Sequence, residues 1–261
     1  MNRYRPASQP GDRNRLVFRS ARAIDYYRSF GGLTPCEESL FAAHVSARSS
    51  VLDVGVGGGR TTPYLASVAG EYLGVDYSPE MIQLCSERFP ALEFRVADAA
   101  DLSFVGDGST DAIVFSYNGM DYLHPDERRR DCLREFERIL VPGGVLLFSA
   151  HNARLLFIVP ALHGRGWTTG LKALILESTK NIRRLARILD IRFWRGNGYV
   201  VDPALGGLMT HITTPEHVEA ELTAFGFLRI KTLSSEYPKS TSRYTTPWYY
   251  YVFVKPRQQP T

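Results

Sequence analysis

The sequence predicts an α/β fold: a mostly parallel sheet with helices on both faces and a helical insertion after the fifth strand. Three observations carry this. Five short apolar stretches alternate with segments whose apolar residues fall at helical spacing. The first strand runs straight into a glycine-rich turn that opens into a helix. Finally, the alternation stops after the fifth strand and resumes some 60 residues later.

Taken in order, residues 1–20 carry Arg3, Arg5, Arg13, Arg15, Arg19 and Arg22 close by, against a single Asp12, and read as a flexible basic tail. Ile24, Tyr27, Phe30 and `CEESLFAAHV` place one or two helices over 21–46. Strands follow at `SVLDVG` (50–55), `EYLGVD` (71–76), `LEFRVAD` (92–98), `DAIVFSY` (111–117) and `GVLLFSA` (144–150), each rich in branched and aromatic residues. Between them, `RTTPYLASVA`, `SPEMIQLCSERF` and `PDERRRDCLREFERIL` have helical stripes, such as Cys132, Leu133, Phe136, Ile139 and Leu140. Strands alternating with helices require crossover connections, so the sheet is parallel and covered on both sides.

Residues 153–210 are expected to form a mainly helical subdomain or substrate lid around `TGLKALILESTKNIRRLARILDI`, with glycine turns at either end and Trp167, Phe193, Trp194 and Tyr199 nearby. The core then resumes over 211–261. There `TTPEHVEAELTAFGF` is a helix with Thr214 as N-cap, Pro215 at its first position and Gly226 as its stop, and `LRIKTLSS` and `WYYYVFVK` are strands. Residues 21–152 hold the N-terminal helices and the ligand-binding core.

Composition narrows the function class. A hydrophobic content of 44% with 22% charged residues describes a soluble globular chain. No stretch has the length and apolarity of a membrane span, and the charged start lacks a secretory core, so a cytoplasmic location is expected. Cys36, Cys85 and Cys132 are scattered, without metal-ligand spacing, and are expected as reduced thiols; no metal is expected. The net charge of +4 sits largely at the N-terminus and in 172–195. No aromatic-interleaved basic strand or zinc-finger spacing accompanies it, which disfavours nucleic acid as a partner.

The turn `VLDVGVGGGR` does not fit a dinucleotide fingerprint. Counted from Gly55 the third glycine would fall at Arg60, and counted from Gly57 at Thr62. Its pattern is instead Asp53, Gly55, Gly57 and Gly59 at alternate positions. Asp76 closes the second strand, where a carboxylate can accept both hydroxyls of a ribose, and Asp98 closes the third, where it can receive an exocyclic adenine amine.

These residues resemble the S-adenosylmethionine site of the class I methyltransferases, whose sheet is Rossmann-like and seven-stranded. The likeness covers 51–150, including `DAIVFSYNGMDYL` and `REFERILVPGGVLLFSAHN`, and loosely the last two strands; it is strongest to bacterial small-molecule and sugar-type members. The resemblance implies S-adenosyl-L-methionine as cofactor. Gly55, Gly57 and Gly59 would pass beneath its methionine part, and Asp53 would order that loop and approach the methionine amine. Asp76 would bind the ribose and Asp98, with the Ala99 backbone N–H, the adenine. Tyr77 and Met81 would cover the adenosine, and Tyr27 and Ser116 complete the set. Val56 and Gly58 depart from residues common in relatives without obstructing a backbone-lined nest.

The acceptor is expected over the carboxyl ends of strands four and five, near Tyr117, Asn118, Asp121, His124, His151 and Asn152. His151 is the first candidate for a general base or an acceptor-orienting contact. Tyr117 and Asn118 could bind the methionine carboxylate, bind the acceptor, or hold the loop. A small-molecule acceptor is favoured for O- or N-methylation, an anionic one being suggested by Arg183, Arg184 and Arg187. RNA or protein methylation and a non-catalytic nucleoside-binding scaffold are the alternatives, and a homo-oligomer stays open.

Overall fold

The computed structural model describes residues 10–154, 192, 195–202 and 207–257. Its first helix, α1 (Pro10–Phe18), packs beside α2 (Ala21–Ser29), which Ser20 caps by accepting from the Ala23 N–H. Residues 10–20 are therefore folded, which corrects the reading of 1–20 as a flexible tail. Buried Asn14 explains the difference: its Nδ2 donates to Tyr122 O (2.9 Å) and Met209 O (2.8 Å), and its Oδ1 accepts from Met209 N (2.8 Å). Distant backbone, rather than an apolar stripe, anchors this arginine-rich helix.

Next comes α3 (Pro35–His44), started by a reciprocal capping box in which Thr34 and Glu37 satisfy each other's backbone N–H. The alternation then runs β1 (Ser50–Val54), α4 (Thr62–Val68), β2 (Glu71–Asp76), α5 (Pro79–Arg88), β3 (Glu93–Val96), β4 (Thr110–Phe115), a 3-10 turn (Gly119–Tyr122), α6 (Asp126–Ile139) and β5 (Leu140–His151). After a hairpin of β6 (Asn197–Asp202) and β7 (Leu208–Thr213), the chain continues through α7 (Pro215–Ala224), β8 (Leu228–Ser234) and β9 (Trp248–Val254).

Seven strands form one sheet in the order β3-β2-β1-β4-β5-β9-β8. The first five are parallel, and β9 runs antiparallel to both β5 and β8. On one face Ile113 and Phe148 pack against Leu133, Phe136, Val218 and Leu222 of α6 and α7. On the other, Val51 and Val114 pack against Leu40, Phe41 and Leu65 of α3 and α4. Burying such side chains from both sides supplies the main driving force for the fold, at ~1.5–3 kcal/mol for each large one.

Two local expectations change. Residues 197–202 and 208–213 are strands, so the boundary drawn at 210/211 cuts through a β-hairpin. The helical core predicted at 169–191 lies outside the described residues, as do Trp167, Phe193 and Trp194; Tyr199 is buried in the hairpin, its ring 4.6 Å from that of His124. Thr214 occupies the N-cap of α7 but makes no side-chain cap bond, its hydroxyl being paired with His217 Nδ1 at 2.9 Å. Among the described residues no helix is long and apolar enough to cross a membrane, and no group of three or more His, Cys, Asp or Glu is placed to hold a metal.

Candidate active site

A cleft opens over the carboxyl ends of β1, β2 and β4, the end where ligands of open α/β sheets collect. Its floor is the loop after β1. Gly55 and Gly57 line it with left-handed backbone (φ 63° and 54°), and a Cβ on Gly55 would lie 2.8 Å from the Phe115 ring. Opposite them, Asp76 at the end of β2 accepts from Gly57 N at 3.0 Å through one oxygen and from Ser78 N at 2.9 Å through the other. Burial pushes its carboxyl up to about 6 against these bonds. Each oxygen keeps a second lone pair, so the group can still accept a vicinal diol.

Two members of the expected loop set stand elsewhere. Asp53 does not line the cleft; its carboxylate accepts from Thr61 Oγ1 (2.6 Å) and Tyr72 OH (2.9 Å) at the root of the loop, and burial raises it to about 6. Its place fits ordering the loop rather than reaching an amine in the cleft. Gly59 turns away as well, since a Cβ there would meet Phe89 and Cys85 of the α5 region. Gly58, which sequence reasoning passed over as a tolerated departure, lies tight against α2: a Cβ would sit 2.3 Å from Tyr27 O.

Beyond β2 and β3, Tyr77, Met81, Asp98 and Ala99 line the cleft together with Asn14 and Phe18 of α1. The Phe18 ring meets Tyr27, Tyr77 and Tyr122 at centroid distances of 5.1–6.2 Å. Asp98 is shared by two arginines, Arg15 from α1 and Arg128 from α6, while its other oxygen accepts from Ala100 N at 3.0 Å. An adenine amine at Asp98 would therefore join an existing ionic cluster. Neither arginine could be tied to Asp98 from sequence, being 83 and 30 positions away.

Toward β4 the cleft reaches Ser116 and Tyr117, with Tyr27 across from them. Ser116 Oγ donates to Glu37, which also accepts a two-pronged guanidinium from Arg60. Burial opposes ionisation of Glu37, but the Arg60 bonds outweigh it and hold the carboxyl below its ordinary value. Arg60 also lies 5.1 Å from the Tyr117 ring centroid. Tyr117 and Asn118 are both left-handed (φ 54° and 62°), a strained pair of non-glycine residues held by the Ser149 hydroxyl, which accepts from Asn118 N at 2.7 Å.

Asn118 and His151 are not among the residues lining the cleft; they form a pair beside it, with Asn118 Nδ2 3.3 Å from His151 Nε2. His151 stands at the end of β5, its ring 6.3 Å from that of Tyr122, which does line the cleft. Asp121 accepts from both the backbone N–H and ring Nδ1 of His151, at 2.7 and 2.8 Å. Asn152 is used structurally, donating to Arg243 O and Thr246 O. His211 is buried on β7, 3.9 Å from Asp121.

The family model described as "Methyltransferase domain" matches residues 51–144. A ubiquinone biosynthesis O-methyltransferase of Xanthomonas oryzae pv. oryzae is 25% identical over 175 residues, covering 64% of this chain and 70% of the relative. A phosphatidylethanolamine N-methyltransferase of Cereibacter sphaeroides is 33% identical over 136 residues, 49% of this chain and 64% of the relative. Among solved structures, the 1,6-didemethyltoxoflavin-N1-methyltransferase of Burkholderia thailandensis, with bound 1,6-didemethyltoxoflavin and S-adenosylhomocysteine, superimposes with a TM-score of 0.61. It is 17% identical and covers 97% of this chain and 92% of its own. A methyltransferase from Methanosarcina mazei gives a TM-score of 0.60 at 21% identity, covering 87% and 99%. With the strand order, the glycine loop and Asp76 in place, residues 51–144 carry a methyltransferase domain, and the chain has the Rossmann-like fold of the S-adenosylmethionine-dependent methyltransferases it resembles.

Proposed function

We propose that the acceptor of this methyltransferase is a small molecule that arrives over the carboxyl ends of β4 and β5. The observation that carries this reading is the continuity of one cleft from Asp76 to Ser116 and Tyr117, beside the paired side chains of Asn118 and His151. The methyl acceptors that the named relatives indicate, a ubiquinone precursor, phosphatidylethanolamine and 1,6-didemethyltoxoflavin, support a small acceptor rather than RNA or protein.

S-adenosylmethionine supplies an activated methyl group when bound. In this chain, Gly55 and Gly57 give its methionine part a floor without side chains. Asp76 keeps lone pairs for the ribose, and Tyr77, Met81 and the Asp98–Ala99 turn enclose the nucleoside. Tyr27 and Phe18 cover it from above and exclude water from the methyl group. The acceptor is then held by Tyr117 and Asn118, and His151 is the proposed proton acceptor. Alignment behind the methyl carbon is the main catalytic demand. The anionic acceptor suggested by Arg183, Arg184 and Arg187 is not part of this proposal, because those residues lie outside the described residues.

The test uses S-adenosylmethionine carrying a deuterated methyl group, incubated with separate low-molecular-mass, RNA and protein fractions of a bacterial extract. Mass spectrometry should find the label in the low-molecular-mass fraction. Label confined to RNA or protein refutes the assignment.

A further inference from the structure

Asp121 lies thirty positions before His151, in the 3-10 turn after β4, and is fully buried. One of its carboxylate oxygens accepts twice from the same residue: from the backbone N–H of His151 at 2.7 Å and from ring Nδ1 at 2.8 Å. The first bond fixes the end of β5; the second fixes the ring. A carboxylate accepts, so Nδ1 must carry a proton and Nε2 the lone pair in the neutral imidazole. Nε2 in turn lies 3.3 Å from the Asn118 amide, on the side of the ring away from Asp121, and the His151 side chain is 22% exposed.

The opposite side of Asp121 is charged. Its second oxygen is 3.7 Å from Arg129 Nη1 and 3.9 Å from His211 Nδ1, with no hydrogen-bond partner of its own. Arg129 is 2% exposed, anchored to Met120 O and by two prongs to Glu221. Burial would raise the Asp121 carboxyl, but the bond from His151, the neighbouring His211 and the charge of Arg129 outweigh it and hold the carboxyl below its ordinary value. Burying a carboxylate and a guanidinium costs several kcal/mol per ion before their attraction is counted. Tying β5 to the 3-10 turn needs only a neutral acceptor for one backbone N–H. An ionised group aimed at the ring of a partly exposed histidine instead suits a histidine that must become positive.

Resting on the methyl-transfer reading above, we propose that Asp121 is a positioning residue that holds His151 as the Nδ1–H tautomer, leaving Nε2 to take a proton from an acceptor that arrives as a hydroxyl. The O–H bond of the acceptor breaks and its proton passes to Nε2. The freed electron pair on oxygen forms the bond to the methyl carbon, and the electrons of the methyl–sulfur bond return to sulfur. The positive charge of the sulfonium is thereby replaced by that of the imidazolium, paired with Asp121, and the proton later leaves to water. Asn118 gives up its contact with Nε2 when the hydroxyl takes its place. The product class is an O-methyl ether.

Among the described residues, the pair has these neighbours. His151 is faced by Asp121 and Tyr122 from the 3-10 turn, by Asn118 and by the Trp248 ring of β9. Asp121 is faced by Arg129 of α6, with Glu221 of α7 behind it, and by His211 of β7.

The experiment is long-range proton–nitrogen NMR of ¹⁵N-histidine protein saturated with S-adenosylhomocysteine, with His151 assigned by its loss in His151→Gln. The neutral ring should be the Nδ1–H tautomer. An Nε2–H tautomer in the wild type overturns the proposal, and this arm needs no variant to fold. In turnover with the acceptor found by the label experiment, His151→Gln should lose at least ~100-fold in kcat. Asp121→Asn should shift the acid limb of the kcat profile to lower pH, because the rate needs the neutral ring, while KM for S-adenosylmethionine stays within about threefold. An N- or C-methylated product refutes the hydroxyl half. Calorimetry with S-adenosylhomocysteine on the same samples reads cofactor binding separately, so a failure of the proton relay is distinguishable from a failure of the methyl-transfer reading.

Discussion

Replacing Asp76 with alanine isolates the contribution of the proposed ribose site. The native carboxylate spends one lone pair of each oxygen on Gly57 N and Ser78 N and has one left on each for a ribose hydroxyl. Hydrogen bonds to a charged acceptor contribute about 1.5–3 kcal/mol apiece, so two of them account for roughly 3–6 kcal/mol, or about 10²- to 10⁴-fold in affinity. The lower bound is the safer one, since water will partly satisfy the hydroxyls in the variant. The wild type offers a control without mutation. Burial pushes Asp76 up to about 6, so near pH 5 only about a tenth of the unliganded protein carries the ionised acid, and affinity should weaken about tenfold relative to pH 8. Titration calorimetry with S-adenosylmethionine at both pH values reads the two effects. Asp76→Ala should show a loss of 100-fold or more at pH 8 and almost none of the wild type's pH dependence. A folded variant within threefold of wild type at pH 8 would refute the assignment of Asp76 to the ribose.

Three further outcomes are expected. Asp53 titrates near 6 in the fold against 3.8 as its ordinary value, so its ionised form costs stability that is absent below pH 3.8 and fully felt above pH 6. Asp53→Asn should therefore exceed the wild type in denaturant stability at pH 8 by on the order of 1–3 kcal/mol, the gap closing toward pH 4.5. Half-buried His44 and buried His211, which titrate the other way, cancel in that difference, and a pH-independent gap would count against the reasoning. Gly58→Ala drives a methyl group into Tyr27 O and should displace α2, lowering cofactor affinity at least tenfold by calorimetry; wild-type affinity would show that α2 does not help form the cleft. Exposed pairs are weak and screened by salt, so Arg15→Ala with Arg19→Ala should raise the cofactor off-rate only a few-fold in stopped flow, an effect that added salt reproduces in the wild type. An off-rate indifferent to both would mean that α1 is held by Asn14 alone.

Much of the core is legible in the sequence because it is periodic. The alternation of apolar stretches with helical stripes gave the strands and crossovers, and the failed glycine register at Arg60 and Thr62 separated this loop from a dinucleotide turn. Asp76 was readable because a strand end, a following Ser-Pro helix start and a glycine loop converge there within 25 residues. What escaped has no period. Gly57 and Gly59 look alike in the sequence, yet one faces the cleft and the other Phe89, since the handedness of the turn decides it. The Glu37–Arg60–Ser116 cluster and the contact of Asp121 with His151 join residues 23 to 79 positions apart, and no local spacing pairs their members. The α1 helix was missed for a related reason: Leu16, its most apolar residue, is 63% exposed, so no buried stripe announces it.

Asn14 also bears on the order in which the molecule is built. Its side chain closes on Tyr122 and on Met209, 108 and 195 residues further along the chain. Contacts so distant form late, after the closure entropy of the intervening chain has been met. During synthesis, β1 to β5 can assemble with α1 held through Tyr122 O and the Phe18 and Arg15 contacts, and the two bonds between Asn14 and Met209 form only when β7 emerges. A nascent chain halted between β5 and β7 would therefore own the glycine loop and Asp76 but lack part of the anchorage of the helix that lines the cleft, so its α1 is expected to be cut sooner in limited proteolysis than that of the full chain.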